Sequence, residues 1–575
     1  MGNNKKVWKV HEKNSRLQQI LSSELGISSV VAQILINRGI RTPGAANMFL
    51  FGDISLCPDP YIMKDMARAV ERVKKAVQEQ EKILIYGDYD VDGVTSTALL
   101  ADVFEKLGAK FEAFIPNRLE EGYGLDKNAI LRFAEKGVSL IVTVDCGINS
   151  SEEVAAANNL GIDVVITDHH EVRGKRPAAF AAINPHQDDC EYPFEQLAGV
   201  GVAYKFARAL MQGREDAADD HLDLVALGTV ADVVPLNGEN RVLVKKGLRR
   251  LRITSKPGLK ALMEVSGIDP EKLNSRHIGF VLAPRINAMG RLGTAEIALK
   301  LLMCKDPKSA YQLAQVLDKE NRLRQNIEKG VLEQALLRVE KEIDPAKDKI
   351  IVLADEAWHA GVIGIVASRL TETYNMPAVL ISLSAEDGKG SARGIKGFNL
   401  FEAISRAGEH LIGFGGHKAA CGIRIKKEKI DSFRESLNSV AEECFEDENE
   451  SLEFLIDFDL PFSYITPKFI DEIEMLMPHG PGNREPVFCS RGLEVKNKPR
   501  DLGKNGFKFL ARCGSLTCEA ITFKKNKITK PSAGDIIDLA YAPSINSWGG
   551  YDTIQLNIKD LQMANTVGAD PSVRP

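Results

Sequence analysis

What this chain of 575 residues lacks narrows it before any motif is read. Its nine cysteines are scattered with no C-x-x-C pair, which removes zinc-ribbon and thioredoxin-like chemistry. An odd number cannot all pair within one chain, so a reducing compartment, the cytoplasm, is the expectation. No G-x-x-x-x-G-K-S/T occurs to cradle a nucleotide's phosphates, which excludes a P-loop ATPase. No segment approaches the ~18 to 20 consecutive apolar residues of a membrane span. The N-terminal MGNNKKVWKVHEKNSRLQQIL also holds no apolar stretch of signal-peptide length. Net charge is small, with 74 basic residues against 79 acidic ones giving -5, so a polyanion would have to be met by local basic surface. No fixed-period repeat appears, which sets solenoids aside. The chain reads as a membrane-free, soluble monomer.

At roughly 150 residues per domain the length suits about three or four domains. From about residue 80 to 170, apolar β-type runs alternate with amphipathic stretches: KILIYGD, VTSTALLADVFEKLG, FEAFIP, KNAILRFAEKG, SLIVTVD, SEEVAAANNLG, DVVITD. Continuous apolar strands joined by helices predict an α/β domain with a parallel sheet covered on both faces. It is placed at 51–306, after an N-terminal helical segment at 1–50. Residues 307–343 carry apolar positions at helical spacing with only Gly330 to weaken them, predicting a long connecting helix over 307–345. The β/α rhythm then resumes with KIIVLAD, GVIGIVASRLTETY and PAVLISLS, a second, smaller α/β domain at 346–445. EECFEDENESLEFLIDFD, with nine acidic residues and no basic one, reads as a solvated boundary. The strand-like remainder to 565 predicts a small β-barrel, and 566–575 a disordered tail.

The chemistry begins at YGDYDVDGVTST, residues 86–97, where Asp88, Asp90 and Asp92 crowd one turn. Like charges at that spacing repel unless a cation, backbone N–H donors or water relieve them. A calcium loop fails, because the position that needs a bidentate Glu is Leu99 and the preceding EKILIYG is a strand. Further acids follow apolar runs: Asp145 after LIVTV, Asp168-His169-His170 after VVIT, and Asp232 in a fourth run, LVALGTVADVVPL, read as a strand. In an open parallel sheet the carboxyl ends of the strands share one edge, so residues far apart in sequence can meet there. Singly, each has a plainer reading: Asp145 or Asp232 as a helix cap or turn residue, His169 as a surface histidine, Asp168 as a carboxylate orienting an imidazole. Jointly they make an oxygen-and-imidazole donor set for two divalent ions, Mn²⁺ or Mg²⁺, which suits phosphoester hydrolysis. Cys146 reads as packing.

DYDVDG, VDCG, TDHH and the run holding Asp232 resemble the four successive motifs of the DHH phosphoesterase family. The resemblance runs on through NRLEEGYGLD at 117–126, PRINAMGRLG at 284–293, HAGVIGIVASRL at 359–370, GSARGIKGFNL at 390–400 and LIGFGGHKAACG at 411–422. It implies a DHH catalytic domain, a DHHA1 substrate-binding domain and a C-terminal OB-fold. Asp90, Asp92, Asp145, His169 and Asp232 would be metal ligands, and His170 would face the scissile phosphate, with Asp168, Asp90 and Asp145 beside it as catalytic groups. Small family members carry a histidine where this chain has Tyr86, a departure that points to Asp88 as a replacement ligand. Arg285, Asn287, Arg291, Ser391, Arg393 and His417 would hold nucleic acid.

The third module has its own signal. Between Arg484 and Lys530 lie twelve basic and four acidic residues, a local balance of +8, with Phe488, Phe507, Phe509 and Phe523 interleaved. Basic residues and aromatics on a small barrel suit stacking on single-stranded nucleic acid, with Phe507 and Lys508 as the contacts; the plain alternative is that the aromatics are barrel core. The resemblance implies an exonuclease degrading single-stranded DNA from the 5′ end, supplied by a single-stranded-DNA-binding protein and a RecQ-type helicase. A sibling phosphoesterase acting on short oligonucleotides or cyclic dinucleotides is the competing reading.

Overall fold

The computed structural model describes residues 7–117, 124–344, 347–444, 453–503, 506–523, 528–548 and 551–564. Most of NRLEEGYGLD and all of the predicted tail lie outside them. Five parallel strands form the first sheet in the spatial order Lys110–Phe114, Lys82–Tyr86, Val138–Val144, Asp163–Thr167, Ala181–Ile183. Strand order reverses between Lys82–Tyr86 and Val138–Val144, and a crevice opens at the carboxyl ends of such a pair. Because the strands are buried on both faces, Ile83, Ile85 and Val142 pack into one core while Leu84, Ile141 and Val164 pack into another on the opposite side. This is why the strands are continuous apolar runs.

The helix Pro307–Glu342, 36 residues and roughly 54 Å long, carries Gly330 without breaking. Its first half buries Ala310, Ala314 and Leu317 in the first domain, and its second half buries Val331, Ala335 and Val339 against the second. One rigid element thus holds both domains at a set separation. The second domain is a five-stranded mixed sheet in the order Leu411–His417, Ala420–Lys426, Asp387–Arg393, Ala378–Leu383, Ile351–Asp355, with only the last pair parallel.

The C-terminal unit closes on itself. Phe488–Val495 pairs with Ile536–Trp548, which pairs with Tyr551–Met563, then Leu516–Thr522, then Gly506–Cys513, and the last returns to Phe488–Val495 through Glu494–Arg512 and Val495–Ala511. A closed ring of five strands leaves no bare edge in the barrel. The N-terminal segment carries the helices Ser15–Leu25, Ser29–Asn37 and Pro43–Phe51, preceded by a strand, Val7–Val10, paired in parallel with Glu453–Ile456, and its Leu21, Val31, Ile34 and Leu35 share the barrel's core. That pairing also makes a strand of part of the acidic stretch read as a boundary; residues 445–452 of it are not described. No single helix among the described residues is long and apolar enough to cross a membrane.

Candidate active site and nucleic-acid interface

The crowded turn is resolved by dividing its carboxylates. Asp90 caps the helix Val91–Lys106, its Oδ1 accepting from the N–H groups of Asp92 (2.9 Å) and Gly93 (3.2 Å). Gly93 is obligatory there, since a Cβ would stand 2.4 Å from the Asp88 carbonyl oxygen. Asp92 is pointed inward, where Oδ2 and Oδ1 accept from Gly199 and Val200 N–H at 2.6 and 2.8 Å, at the start of the helix Gly199–Leu210. The positive end of that helix suits a carboxylate. Burial, and then the charge of Asp90, still raises the Asp92 carboxyl to about 7.

Asp145 is not a cap, because the next helix starts at Ser151. It sits at φ 61°, a conformation rare outside glycine, directly after the strand Val138–Val144. Asp232 is not at a strand end either. LVALGTVA is helix Leu222–Ala231 and Asp232 follows as its C-terminal cap. The run is apolar on every side because the helix is enclosed, and such a run has no periodicity by which to tell helix from strand. Its place beside the sheet edge is nevertheless the expected one.

His169 gathers these groups: its Nε2 lies 3.1 Å from Asp145 Oδ1, 3.6 Å from Asp232 Oδ2 and 3.8 Å from Asp92 Oδ2. Three sets of donor atoms each lie within 4.8 Å of one another: Asp92–His169–Asp232, Asp88–Asp90–Asp145 and Asp145–His169–His170. Burial, then repulsion by neighbouring aspartates, pushes the Asp145 and Asp232 carboxyls well above their usual range. Burial, then His170, lowers His169 to about 4, so its ring is neutral. Asp145 Oδ1 and His169 Nε2 are both buried without a hydrogen-bond partner. A neutral imidazole nitrogen and a carboxyl oxygen held this close suit a divalent cation, which would displace the proton that burial favours on the Asp145 carboxyl.

Asp168 belongs to none of these sets. Its Oδ1 accepts from His169 N, His170 N and His170 Nδ1 (2.7, 3.1 and 2.7 Å), and its Oδ2 from Ile148 N at 2.9 Å. Burial opposes its ionisation, but the hydrogen bond and charge of His170 hold it below the ordinary value. In the same way burial opposes the His170 imidazolium while Asp168, Asp88 and Asp90 raise its pKa. Asp168 is a positioning carboxylate that orients the His170 ring and favours its imidazolium form. Tyr86 turns from the cluster, its hydroxyl donating to Gly124 O (3.2 Å) and its ring edge-on to Phe114. Cys146 is buried packing.

The expected nucleic-acid contacts divide. Arg285 is held as a structural ion pair, Nε and Nη2 on Asp318 Oδ1 of the long helix at 3.0 and 2.9 Å and Nη1 on Val281 O at 2.6 Å. Asn287 Oδ1 accepts from Val91 N at 3.2 Å and so fixes the turn holding Asp90. Arg291 reaches Gly361 O (3.2 Å), bridging the two α/β domains. Ser391 and Arg393 lie at the N-terminal end of helix Ile363–Tyr374; Gly364 there admits them, a Cβ being 2.8 Å from Ser391 Oγ. His417 stands across the cleft against Arg173 Nη2, 2.9 and 2.8 Å from its ring nitrogens. Arg173, two residues beyond the D-H-H run's neighbour Glu171, was invisible to sequence reading because nothing local marks the partner 244 positions away. On the barrel, Phe507 is completely buried with Phe488 and Phe509, and the stacking role expected of it is corrected: its side of the strand faces the core. Phe523 is the exposed aromatic of the four, at 68 %. Lys508 pairs with Glu519 at 2.8 Å and lines a groove of about 630 Å³ with Leu510, Leu516 and Ile554. Much of the local positive balance is likewise paired, as in Arg484–Asp457, Arg491–Asp459 and Lys530–Asp501.

A doubly wound sheet with acids and a D-H-H run at its switch point, coupled to a mixed-sheet partner, defines a DHH-type phosphoesterase. The chain matches the DHH family, N-terminal domain, over residues 82–229, the DHHA1 domain over 347–443 and the RecJ OB domain over 456–560. It is 39 % identical to the single-stranded-DNA-specific exonuclease RecJ of Bacillus subtilis, over 97 % of this chain and 71 % of that protein. It is 35 % identical to that of Escherichia coli, over 87 % and 90 %. The crystal structure of RecJ in complex with Mn²⁺ from Thermus thermophilus superposes with a TM-score of 0.83 at 30 % identity, covering 97 % of this chain and 80 % of that one. The chain belongs to the RecJ family.

Proposed function

We propose that this chain is a single-stranded-DNA-specific exonuclease that hydrolyses phosphodiester bonds from the 5′ end and releases 5′-mononucleotides in DNA recombination and repair. The observation that carries the chemistry is the buried cluster sharing Asp145, in which carboxylates and a neutral imidazole converge on space that only cations reconcile. Asp92, His169 and Asp232 would hold one Mn²⁺ or Mg²⁺, Asp88 and Asp90 the other, with Asp145 common to both. Such ions, when bound, acidify a water and neutralise charge on the attacking and leaving oxygens. The chain's own residues supply the rest. His170, oriented by Asp168, which also raises its pKa, would donate to an oxygen of the scissile phosphate as charge builds there. Asn287 keeps the Asp90 turn in place, and burial of the cluster excludes bulk water.

The 5′ polarity rests on the family resemblance, and the second domain offers a place to hold the strand's end. Ser391 Oγ and the Arg393 guanidinium, 3.0 Å apart at a helix N-terminus, form a seat for a terminal phosphate. A single-stranded-DNA-binding protein and a RecQ-type helicase are the partners expected to supply the strand. The reading as a phosphoesterase for short oligonucleotides needs only the two α/β domains, and the closed barrel with its groove counts against it.

The test is digestion of 5′-labelled and 3′-labelled strands with Mn²⁺, with and without chelator. Early release of the 5′ label as a mononucleotide, abolished by chelator, is expected; early loss of only the 3′ label would refute the polarity. A second expectation concerns protons. Carboxyls raised well above their usual range, Asp92 to about 7, must release protons to bind metal, whereas His169, already neutral, contributes none. Calorimetry in buffers of different ionisation enthalpy should therefore show proton release on Mn²⁺ binding, with affinity rising from pH 6 to pH 8. Affinity flat across that range would contradict the assignment.

A further inference from the structure

Two apolar side chains stand in water beside the site at a cost the fold does not repay. Val233, next to the cluster residue Asp232, is 65 % exposed and lies at φ 67°. A β-branched residue in the left-handed region costs roughly 1–3 kcal/mol, and exposure returns nothing for it. Phe280 is 78 % exposed, the most exposed aromatic ring among the described residues. It sits in a π-turn, Ile278–Leu282, where Ala283 N–H bonds to Ile278 O. Pro284 has no N–H to give the Phe280 carbonyl, so the ordinary helical bond is missing there and the turn is widened.

Both residues lie on segments that connect the barrel unit to the cluster. Leu236 N–H donates to Pro481 O at 2.7 Å, so the chain from Asp232 through Val233 runs directly onto the 479–481 turn. Ser275 Oγ donates to His479 O at 2.7 Å on the same turn, and the chain runs from there through Phe280 to Arg285. The two segments meet, since a Cβ on Gly279 would lie 3.8 Å from the Val230 side chain. Arg285 folds back on Val281 O. The rim they form adjoins the cluster at Asp232 and the barrel unit at 479–481.

We propose that Val233 and Phe280 form an apolar seat for a nucleobase of the strand on its way to the cluster, with Phe280 stacking on the base face and Val233 packing beneath its edge. The seat rests on the exonuclease reading and deepens it: the enzyme grips bases as well as phosphates. Base–aromatic stacking is tolerant of sequence because every base has a face. The π-turn and the left-handed Val233 present the two side chains outward, where a regular helix and an ordinary turn would fold them back.

The test uses the full chain loaded with Mn²⁺ and single strands carrying one abasic nucleotide at successive positions. Wild type should slow about tenfold when the missing base falls at the seat. Phe280→Ala should cut intact strand about tenfold more slowly and treat intact and abasic strands alike. Val233→Gly should lose the discrimination too, with Tm equal to or above that of wild type, because glycine adopts this backbone freely. Wild type indifferent to abasic sites, or Phe280→Ala that still discriminates, overturns the seat while leaving the exonuclease reading intact. A lowered Tm in Val233→Gly would make that residue structural and remove it from the seat. Wild type that leaves strands undegraded fails the underlying reading instead.

Discussion

Asp145→Asn should abolish strand hydrolysis, by about three orders of magnitude or more, and yet stabilise the metal-free protein. The loss follows because the carboxylate belongs to two of the three donor sets, and removing one preorganised group from a site that stabilises developing charge already costs about 10² to 10³ in rate. The gain follows from crowding. Asp145 is buried against Asp92, Asp90, Asp232 and Asp88, and its carboxyl is raised well above the usual range, first by burial and then by those charges. A carboxyl whose pKa is higher folded than unfolded contributes stability below the unfolded value and loses it as pH rises through the folded one. The asparagine does not titrate and tolerates φ 61°. In chelator the variant's Tm should therefore exceed that of wild type, by a margin that widens from pH 5 to pH 8. In Mn²⁺ the order should reverse, since a ligand at about a hundred times its Kd adds about 2.7 kcal/mol to the protein that binds it. Equal melting temperatures in chelator across that range would show that the carboxylates do not repel.

Arg241→Ala should be the most destabilising single change, by about 3–5 kcal/mol. The side chain is buried on the helix Gly238–Arg252, and its guanidinium gives five hydrogen bonds to backbone carbonyls: Phe49, Leu476, Pro478, Met475 and Met477, at 2.7 to 3.3 Å. It also lies 3.8 Å from the centre of the Phe49 ring. Four of these carbonyls follow the helix Pro467–Glu474, whose negative end offsets the charge, and no carboxylate among the described residues pairs with it. Burial, then Arg38, still lowers its pKa to about 9. Truncation removes a donor from all five, of which Leu476 O and Pro478 O keep Asn483 Nδ2, and weakens the hold between the N-terminal and barrel unit and the catalytic domain. Urea unfolding should show a separate early transition for the barrel unit, and Arg241→Lys, with a single ammonium, should recover little. A single unshifted transition would mean that the two units are held together elsewhere.

The doubly wound sheet was legible because its strands are enclosed and therefore apolar throughout, with Asp145 and Asp168 directly beyond their ends. The long helix was legible because 3.6-residue periodicity persists past Gly330. Asp232 was placed rightly beside the edge but on the wrong element, since an enclosed helix and an enclosed strand look alike over ten residues. Phe507 has the residue type of a nucleic-acid contact, and only the inward side of a barrel strand decides otherwise, while the pairing of Arg285 with Asp318 on a distant helix has no local mark.

Residue types and their spacing were enough to name the chemistry, because ligand preferences belong to side chains and travel with them into any fold. The division of labour among the acids came from packing. Gly199 and Val200 N–H groups turn Asp92 inward, Ile148 and the histidine backbone hold Asp168 back as an orienting group, and φ 61° aims Asp145 at His169. Each of these depends on backbone donors and torsions brought together from up to 108 positions apart, and no local pattern of side chains encodes such distances.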